Sequence, residues 1–241
     1  MAILSLVIPC YNESENLPSL IERCATKVLV KDIEVVLVDN GSTDSTSEVL
    51  ASLLPSHPNM RSVRVPLNQG YGNGILAGLR TCTSTYLSWT HADMQTDPAD
   101  SIRGLELFEG VQNPHQLFIK GRRYGRPLGD VAFTAGMAAF EVLLLGQRFW
   151  DINAQPTMFH RDFFLSWISP PSDFSLDLFA YYMARRAHLN IKRFPVHFRE
   201  RAHGQSHWNI NWKSKMNFIR RTTAFSFKLR RSQASWNGRE N

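Results

Sequence analysis

Four polar segments of this sequence hold residues whose types and spacing suit work on a phosphorylated ligand: Pro9–Glu13, Asp39–Ser42, Asn68–Gly74 and His91–Gln95. Asp93 and Gln95 stand two apart, and on an extended segment that spacing turns both side chains to one side. A carboxylate with an amide oxygen suits a hard divalent cation, which keeps waters and takes its remaining ligands from substrate phosphates. The competing reading of this stretch is capping of a helix near Pro98-Ala99-Asp100; we give that role to Asp97 and the metal to Asp93. His91 has three readings: a metal ligand, a phosphate contact, or a polar residue at a strand end. Asp39 can take hydrogen bonds from a base or ribose, because an ionised carboxylate only accepts. Asp39-Asn40-Gly41-Ser42 reads equally well as an ordinary turn and cap. Arg122, Arg123 and Arg126 gather guanidinium groups on one loop, a composition that fits phosphate.

Other chemistries lose their markers. The sequence has no GxxxxGK[ST], HExxH or GxSxG motif. Gly72-x-Gly74-x-x-Ala77 formally matches a dinucleotide fingerprint. Residues 68–71 separate it from the preceding strand, however, where a true fingerprint follows directly. A nicotinamide-dependent dehydrogenase therefore ranks as a distant third reading.

The elements that must position these residues alternate. Apolar runs at Ile3–Pro9, Glu34–Val38, Arg61–Leu67, Thr85–Trp89 and Leu117–Lys120 read as strands. Between them, helical spacing joins Leu17, Leu20, Ile21 and Cys24 behind a Ser14 cap. It also joins Val49, Leu50 and Leu53 behind Thr43 or Asp44, and Ile75, Leu76 and Leu79 after Gly70. That order predicts a mostly parallel sheet flanked by helices, with ligands at the carboxyl ends of its strands. Farther on, helices are expected at about 130–146 and 174–187, a strand at Ile191–Val196 and a helix over 211–231. Trp89 and Trp150 read as core aromatics, and Cys10 as a small buried hydrophobe.

Composition bounds the class. The 241 residues are 43% hydrophobic and 20% charged, a globular balance. No apolar run approaches the roughly 20 residues that cross a bilayer, since Glu141 interrupts Ala138–Leu145. The start of the chain lacks the basic region of a secretory signal. Three cysteines without a CxxC spacing argue against a disulfide framework or a structural zinc site and fit a reducing cytoplasm. Residues 1–184 hold 13 Lys/Arg against 19 Asp/Glu, and residues 185–241 hold 14 against 2. An acidic body with a basic tail predicts an anionic partner for the tail. With Trp208, Trp212, Phe218, Phe225 and Phe227 interleaved, that partner reads as a membrane surface, against a solvated or oligomer-packing helix. No nucleic-acid motif is present.

Seven segments in order carry a resemblance. They are Val7–Glu13 with Asn16-Leu17, Val36–Thr46, Asn68–Gly74, Ala92–Pro98, Lys120–Tyr124, Asp151–Pro156, and Pro195–Phe198 with Arg201, Gly204, Gln205 and Ser206. Together they resemble the family 2 glycosyltransferases of the GT-A fold, nearest to the dolichyl- and polyprenyl-phosphate sugar synthases, over residues 3–208. The resemblance implies an α/β fold with a Rossmann-like nucleotide-sugar half (1–120), an acceptor half (121–208) and a separate tail (209–241). It implies an inverting, metal-dependent transferase that moves a sugar from a nucleotide diphosphate sugar to a lipid phosphate or a growing glycan. The site would lie in the cytoplasm or at the cytoplasmic membrane face, with room for an oligomer. Carried over by position, Pro9, Tyr11, Asn12, Glu13, Asp39, Gly70, Asn73, His91, Ala92, Arg122, Gln155, Ser206 and His207 would line the donor. Asp93 and Gln95 would hold Mg²⁺ or Mn²⁺. Asp93, Arg201, Asp177 and Asp151 would serve the chemistry, the last two as candidate bases where the acceptor is a hydroxyl. Three departures stand out: His91 replaces the first acid of Asp-x-Asp, Asn40 a second acid after Asp39, and His207 a lysine after Ser206. They keep open a non-catalytic nucleotide-sugar binder of the same fold.

Overall fold

The computed structural model describes residues 2–29, 32–201 and 212–237. The apolar runs at the front of the chain form parallel strands β1 (Leu4–Cys10), β2 (Ile33–Asn40), β3 (Met60–Val65) and β4 (Tyr86–Trp89). Strands β5 (Leu117–Tyr124), β6 (Thr157–His160) and β7 (Asn190–His197) complete one seven-stranded sheet in the order β3-β2-β1-β4-β6-β5-β7. Only β6 runs antiparallel, pairing with β4 on one side and β5 on the other. Sequence reading missed β6: its four residues, Thr-Met-Phe-His, are polar at both ends and follow directly on Pro156, unlike the equally short but mostly apolar β4.

Helices cover both faces, which is why β1 and β2 read as unbroken apolar runs rather than alternating ones. Leu4, Leu6 and Ile8 pack on one face against α1 (Leu17–Arg23), α2 (Thr46–Leu53) and α4 (Asp100–Glu106). Val7, Val36, Val38 and Trp89 point to the other face. There they meet α3 (Tyr71–Arg80), α6 (Arg161–Leu165) and α7 (Leu176–Arg186). Each fully buried side chain of this kind contributes about 1.5–3 kcal/mol. The expected N-caps differ. Ser14 gives its N–H to Asp44 Oδ2, and α1 starts two residues later than a Ser14 cap would set it. Asp44 does serve α2, accepting the Thr46 N–H at 3.0 Å.

Two glycines mark places where backbone meets backbone. A Cβ on Gly72 would lie 2.6 Å from the Asp173 carbonyl oxygen, and one on Gly121 2.1 Å from that of Gln155. The glycine-rich segment is thus explained by close packing of α3 on residues 171–173. Asn73 confirms this contact by donating its N–H to the Ser172 carbonyl at 2.7 Å.

Helices α5 (Leu128–Leu145) and α8 (Trp212–Asn237) pack on each other at one side of the body. Helix α5 is 18 residues long with mean hydropathy 1.7, enough by length and composition to cross a bilayer. This differs from the sequence expectation, which counted Glu141 as an interruption. Only Ala138, Glu141 and Leu145 of α5 are buried. Trp150, expected in the core, is 45% exposed, because the turn after α5 carries it outward, whereas Trp89 and Cys10 are fully buried.

Candidate active site

The carboxyl ends of β1, β2 and β4 lie side by side, and the loops leaving them are tied together. Asn12, at φ 55°, accepts the Thr43 N–H at 2.8 Å and gives its own N–H to Ser42 Oγ at 3.1 Å. Glu13 N–H reaches Thr46 Oγ1 at 3.0 Å. The Pro9–Glu13 and Asp39–Thr46 segments therefore form one rigid rim. Pro9 sits within β1 opposite Val38, and Tyr11 is half-buried in the rim itself. Asp39 is buried at the end of β2, where Oδ1 accepts the Ser42 N–H at 2.9 Å and Oδ2 the Ser47 hydroxyl. In this structure its bonds are those of the turn-and-cap reading. Asn40 Nδ2 reaches across to the Gly70 carbonyl at 3.0 Å, fixing the third loop against the second.

Beyond β4 the chain turns sharply at Met94, φ 57°, and the Gln95 N–H closes on Asp93 Oδ1 at 3.1 Å. The two side chains share a side, as expected, although a turn rather than an extended segment brings this about. Arg201 meets both: Nη2 lies 2.7 Å from Asp93 Oδ2, and Nε donates to Gln95 Oε1 at 3.2 Å. The Gln95 side chain and main chain also hold residue 199, through its carbonyl at 3.3 Å and its N–H at 2.7 Å. Two oxygen donors thus converge on one cationic group at the end of a strand, an arrangement that also fits a hard divalent cation. Glu13 stands close enough to feel Asp93 and Arg201. Burial pushes its carboxyl above the usual range, against the hydrogen bond from Asn16. Ala92 is buried between these groups and β4.

His91 does not join the oxygen pair. Its ring stacks on Tyr71 at 5.3 Å, and Tyr71 stacks in turn on Phe174 at 4.9 Å. Burial holds the His91 imidazole below the usual histidine range, so it brings little charge, with Asp93 and Asp177 opposing the shift.

Beneath the stack lies a buried polar chain that sequence reading saw only in part. Asp177, in the first turn of α7, faces inward. Its Oδ1 accepts Gln155 Nε2 at 2.7 Å and Trp89 Nε1 at 3.3 Å, and lies 3.8 Å from Lys120 Nζ. Lys120 also donates to Thr157 Oγ1 at 2.7 Å. Burial lowers its pKa to about 8 while Asp177 opposes the fall. Gln155 Nε2 reaches the Tyr71 hydroxyl at 3.4 Å, so the chain ends at the aromatic stack.

Asp151 occupies another position. Both its oxygens are taken: Oδ1 by the Arg123 guanidinium and by Arg126 Nη1 at 3.2 Å, Oδ2 by the Arg123 N–H at 2.9 Å. Arg123, whose charge reaches His91, and Arg126 are the half-buried arginines of this loop, whereas Arg122 is exposed. Tyr71, Phe174 and Lys120 are the site-lining residues that sequence reasoning did not single out for a role. A tyrosine between two glycines and a lysine ending an apolar strand were the available signals. Ser206 and His207 lie outside the described residues.

Comparison with known proteins adds the following. The model for glycosyl transferase family 2 matches residues 5–142. An undecaprenyl-phosphate 4-deoxy-4-formamido-L-arabinose transferase from Enterobacter sp. (strain 638) is 31% identical over 221 residues, covering 86% of this chain and 63% of that protein. The same-named protein of Yersinia pestis bv. Antiqua (strain Angola) is 36% identical over 110 residues, 44% of this chain and 33% of its own length. The chain therefore spans a third to under two thirds of these relatives. Among solved structures, glucosyl-3-phosphoglycerate synthase from Mycobacterium tuberculosis, in complex with Mn²⁺, UDP and glucosyl-3-phosphoglycerate, superposes with TM-score 0.70. It is 16% identical and covers 95% of this chain and 80% of that one. A mannosyltransferase from Pyrobaculum calidifontis in complex with GDP-Man and Mn²⁺ gives 0.61 at 17% identity, covering 85% and 58%. These likenesses establish a GT-A fold.

Proposed function

Because the chain belongs to glycosyl transferase family 2, we propose that it transfers a sugar, with inversion, from a nucleotide diphosphate sugar to a polyprenyl phosphate, using Mg²⁺ or Mn²⁺. The observation that carries this reading is the convergence of Asp93 Oδ2 and Gln95 Oε1 on one cation at the carboxyl end of β4. Asp93 and Gln95 would hold the metal, which when bound neutralises charge on the departing diphosphate. The rim formed by Tyr11–Glu13 and Asp39 would take the base and ribose. Arg201 would exchange its carboxylate for a diphosphate oxygen when the donor and metal arrive, adding charge stabilisation where the leaving group becomes negative.

In the transfer, an acceptor oxygen forms a bond to the anomeric carbon while the carbon's bond to the diphosphate oxygen breaks and its electron pair leaves with the nucleoside diphosphate. A phosphate acceptor is already ionised and needs no proton removed. That agrees with a buried Asp177 committed to Gln155 and Trp89, and with an Asp151 committed to Arg123 and Arg126. Asp177 then positions the floor of the site through Gln155 and Tyr71, and Asp151 aims Arg123 toward the acceptor phosphate. A small cleft of about 50 Å³ with a mainly apolar wall is where the lipid chain would meet the protein. It opens beside Phe174, with Phe133, Met137, Ile152 and Leu178 as its apolar wall and Arg123 at its edge. Helix α5 and basic α8 would rest on the cytoplasmic membrane face.

A non-catalytic binder of nucleotide sugars is the second reading, and the stacking of His91 on Tyr71 favours it by leaving Asp93 as the sole carboxylate of that motif. One assay separates them: release of nucleoside diphosphate from a panel of UDP, GDP and dTDP sugars with Mn²⁺ and undecaprenyl phosphate. A transferase releases product with one donor, and Asp93→Ala lowers that rate by about 10³-fold or more while leaving the melting temperature within a few degrees. Tight donor binding without release in the wild type would establish the binder instead.

A further inference from the structure

The opposite end of the sheet carries a second group of chemistry-bearing side chains. Strand β6 pairs with β4 so that Thr157 faces Trp89 at the active-site end and His160 faces Tyr86 at the other. Three strand steps, about 10 Å, separate the two ends of β6. Beside His160 come His115, from the short turn Pro114–Gln116 that leads into β5, and Asp162, from the first turn of α6. The two imidazole rings lie 3.7 Å apart, centroid to centroid. Both Nδ1 atoms face a single carboxylate oxygen: His115 Nδ1 is 3.2 Å and His160 Nδ1 3.5 Å from Asp162 Oδ2. All the donor atoms fall within 4.8 Å of one another.

An ordinary ion pair explains this poorly. Two protonated rings in such close contact would repel each other. His160 Nδ1 accepts the Asp162 N–H at 3.3 Å, so its lone pair is unprotonated, and a bound ion would take the place of that hydrogen bond. The spacing fits coordination. Metal–ligand bonds of about 2.0–2.1 Å in a tetrahedron set neighbouring ligand atoms about 3.4 Å apart, and the two observed separations lie on either side of that value. Mg²⁺ and Ca²⁺ prefer all-oxygen sites, whereas imidazole with carboxylate suits Zn²⁺ and its neighbours.

We propose that His115, His160 and Asp162 form a site for a Zn²⁺-class divalent cation, separate from Asp93 and Gln95, with water in the fourth position. The ion ties the entry of β5 to the β6–α6 turn, and β5 is the strand that presents Lys120 and Arg123 to the active site. His115 and Asp162 are exposed enough for the ion to enter without opening the fold. The sequence expectation of no structural zinc rested on cysteine spacing alone and did not weigh histidines 45 residues apart.

The test uses the full chain, stripped with chelator and titrated with ZnCl₂ in the absence of nucleotide. We expect one equivalent bound at this site and a melting temperature raised by about 5–10 °C at a hundredfold excess over the dissociation constant. Co²⁺ should give the visible absorption of a tetrahedral site. His115→Ala and Asp162→Asn, both at exposed positions, should each weaken zinc binding by about 10-fold or more, and Asp93→Ala should leave it unchanged. No zinc uptake, uptake that survives both His115→Ala and Asp162→Asn, or uptake lost in Asp93→Ala would each overturn the assignment.

Discussion

Lys120 sets the character of the site's interior. It is fully buried, its ammonium bonds to Thr157 Oγ1, and its charge faces Asp177 at 3.8 Å. Breaking a buried pair by removing one partner typically costs about 3–5 kcal/mol, because the other charge stays behind uncompensated. Lys120→Met should therefore lower unfolding free energy by about that amount in urea. The Lys120→Met/Asp177→Asn double variant should lose less than the sum of the single changes. The pH dependence has a definite sign. The folded pKa of about 8 lies below the unfolded value near 10.5, so between them the unfolded chain holds the proton and the folded chain does not. The contribution of Lys120 to stability thus rises with pH across that window, and Lys120→Met should flatten the rise. Sequence reading could not find this residue. A lysine closing an apolar run looks like an exposed strand end, and the groups that surround it, Thr157 of β6 and Asp177 and Tyr181 of α7, come from far along the chain. Asp93 and Gln95 stood out because a carboxylate and an amide two apart suit a divalent cation, whereas Arg201 entered only through the family resemblance. Asp151 and Asp177 stood out as acids near the site, but the partners that commit them come from residues 22–88 positions away in the chain.

At the scale of elements, the front of the fold was legible and the back was not, for a physical reason. Strands β1, β2 and β4 are buried on both faces and announce themselves as apolar runs, while β6 is polar at both ends and α6 is only five residues long. Helix α5 was placed nearly correctly, yet its surroundings were misjudged, because what covers Glu141 is α8, some 85 residues later. Ser226 Oγ stands 2.6 Å from Glu141 Oε1 and 2.8 Å from the Thr222 carbonyl. One hydroxyl proton cannot serve both acceptors, so a protonated Glu141 that donates from Oε1 to Ser226 makes both bonds possible, while Oε2 stays buried without a partner. Burial raises the Glu141 pKa to about 7, with the Ser226 bond opposing. Because the folded pKa is the higher one, the stabilising contribution is complete below about pH 4.5 and is lost as pH rises through about 7. Glu141→Gln should match the wild type at pH 5 and exceed it at pH 8 by about 1–2 kcal/mol in urea unfolding. Equal stabilities at both pH values would mean that the carboxyl titrates normally and that α8 packs on α5 without a proton.

At the scale of the whole molecule, helices α5 and α8 bring exposed apolar and basic residues together. Along α5, Leu128, Ala132, Ala139 and Leu143 recur on one stripe of the helix, and all are exposed. Leu128 and Leu143 are more than four fifths exposed. The buried residues Ala138, Glu141 and Leu145 occupy the opposite stripe and face the body and α8. Helix α8 adds exposed Arg220, Arg221, Arg230 and Arg231 beside this surface. An apolar stripe next to a basic helix is the pattern of an element that lies in the membrane interface rather than across it. Each cationic side chain near an anionic leaflet adds about 1 kcal/mol, and salt screens the attraction beyond about 10 Å at 0.1 M. Such a surface would also bring the apolar cleft beside Phe174 to lipid depth, where a polyprenyl chain would enter it. The chain should therefore float with vesicles containing phosphatidylglycerol at low salt and float less with purely zwitterionic vesicles. Arg230→Glu/Arg231→Glu should weaken flotation by roughly 10-fold or more in a salt-dependent way, since two charges contribute about 2 kcal/mol. Leu128→Glu/Leu143→Glu should abolish it at every salt concentration while leaving the melting temperature unchanged, because neither leucine packs in the core. If the leucine variant floats as the wild type does, α5 is not the surface that meets the membrane, and the lipid-phosphate acceptor loses its structural support.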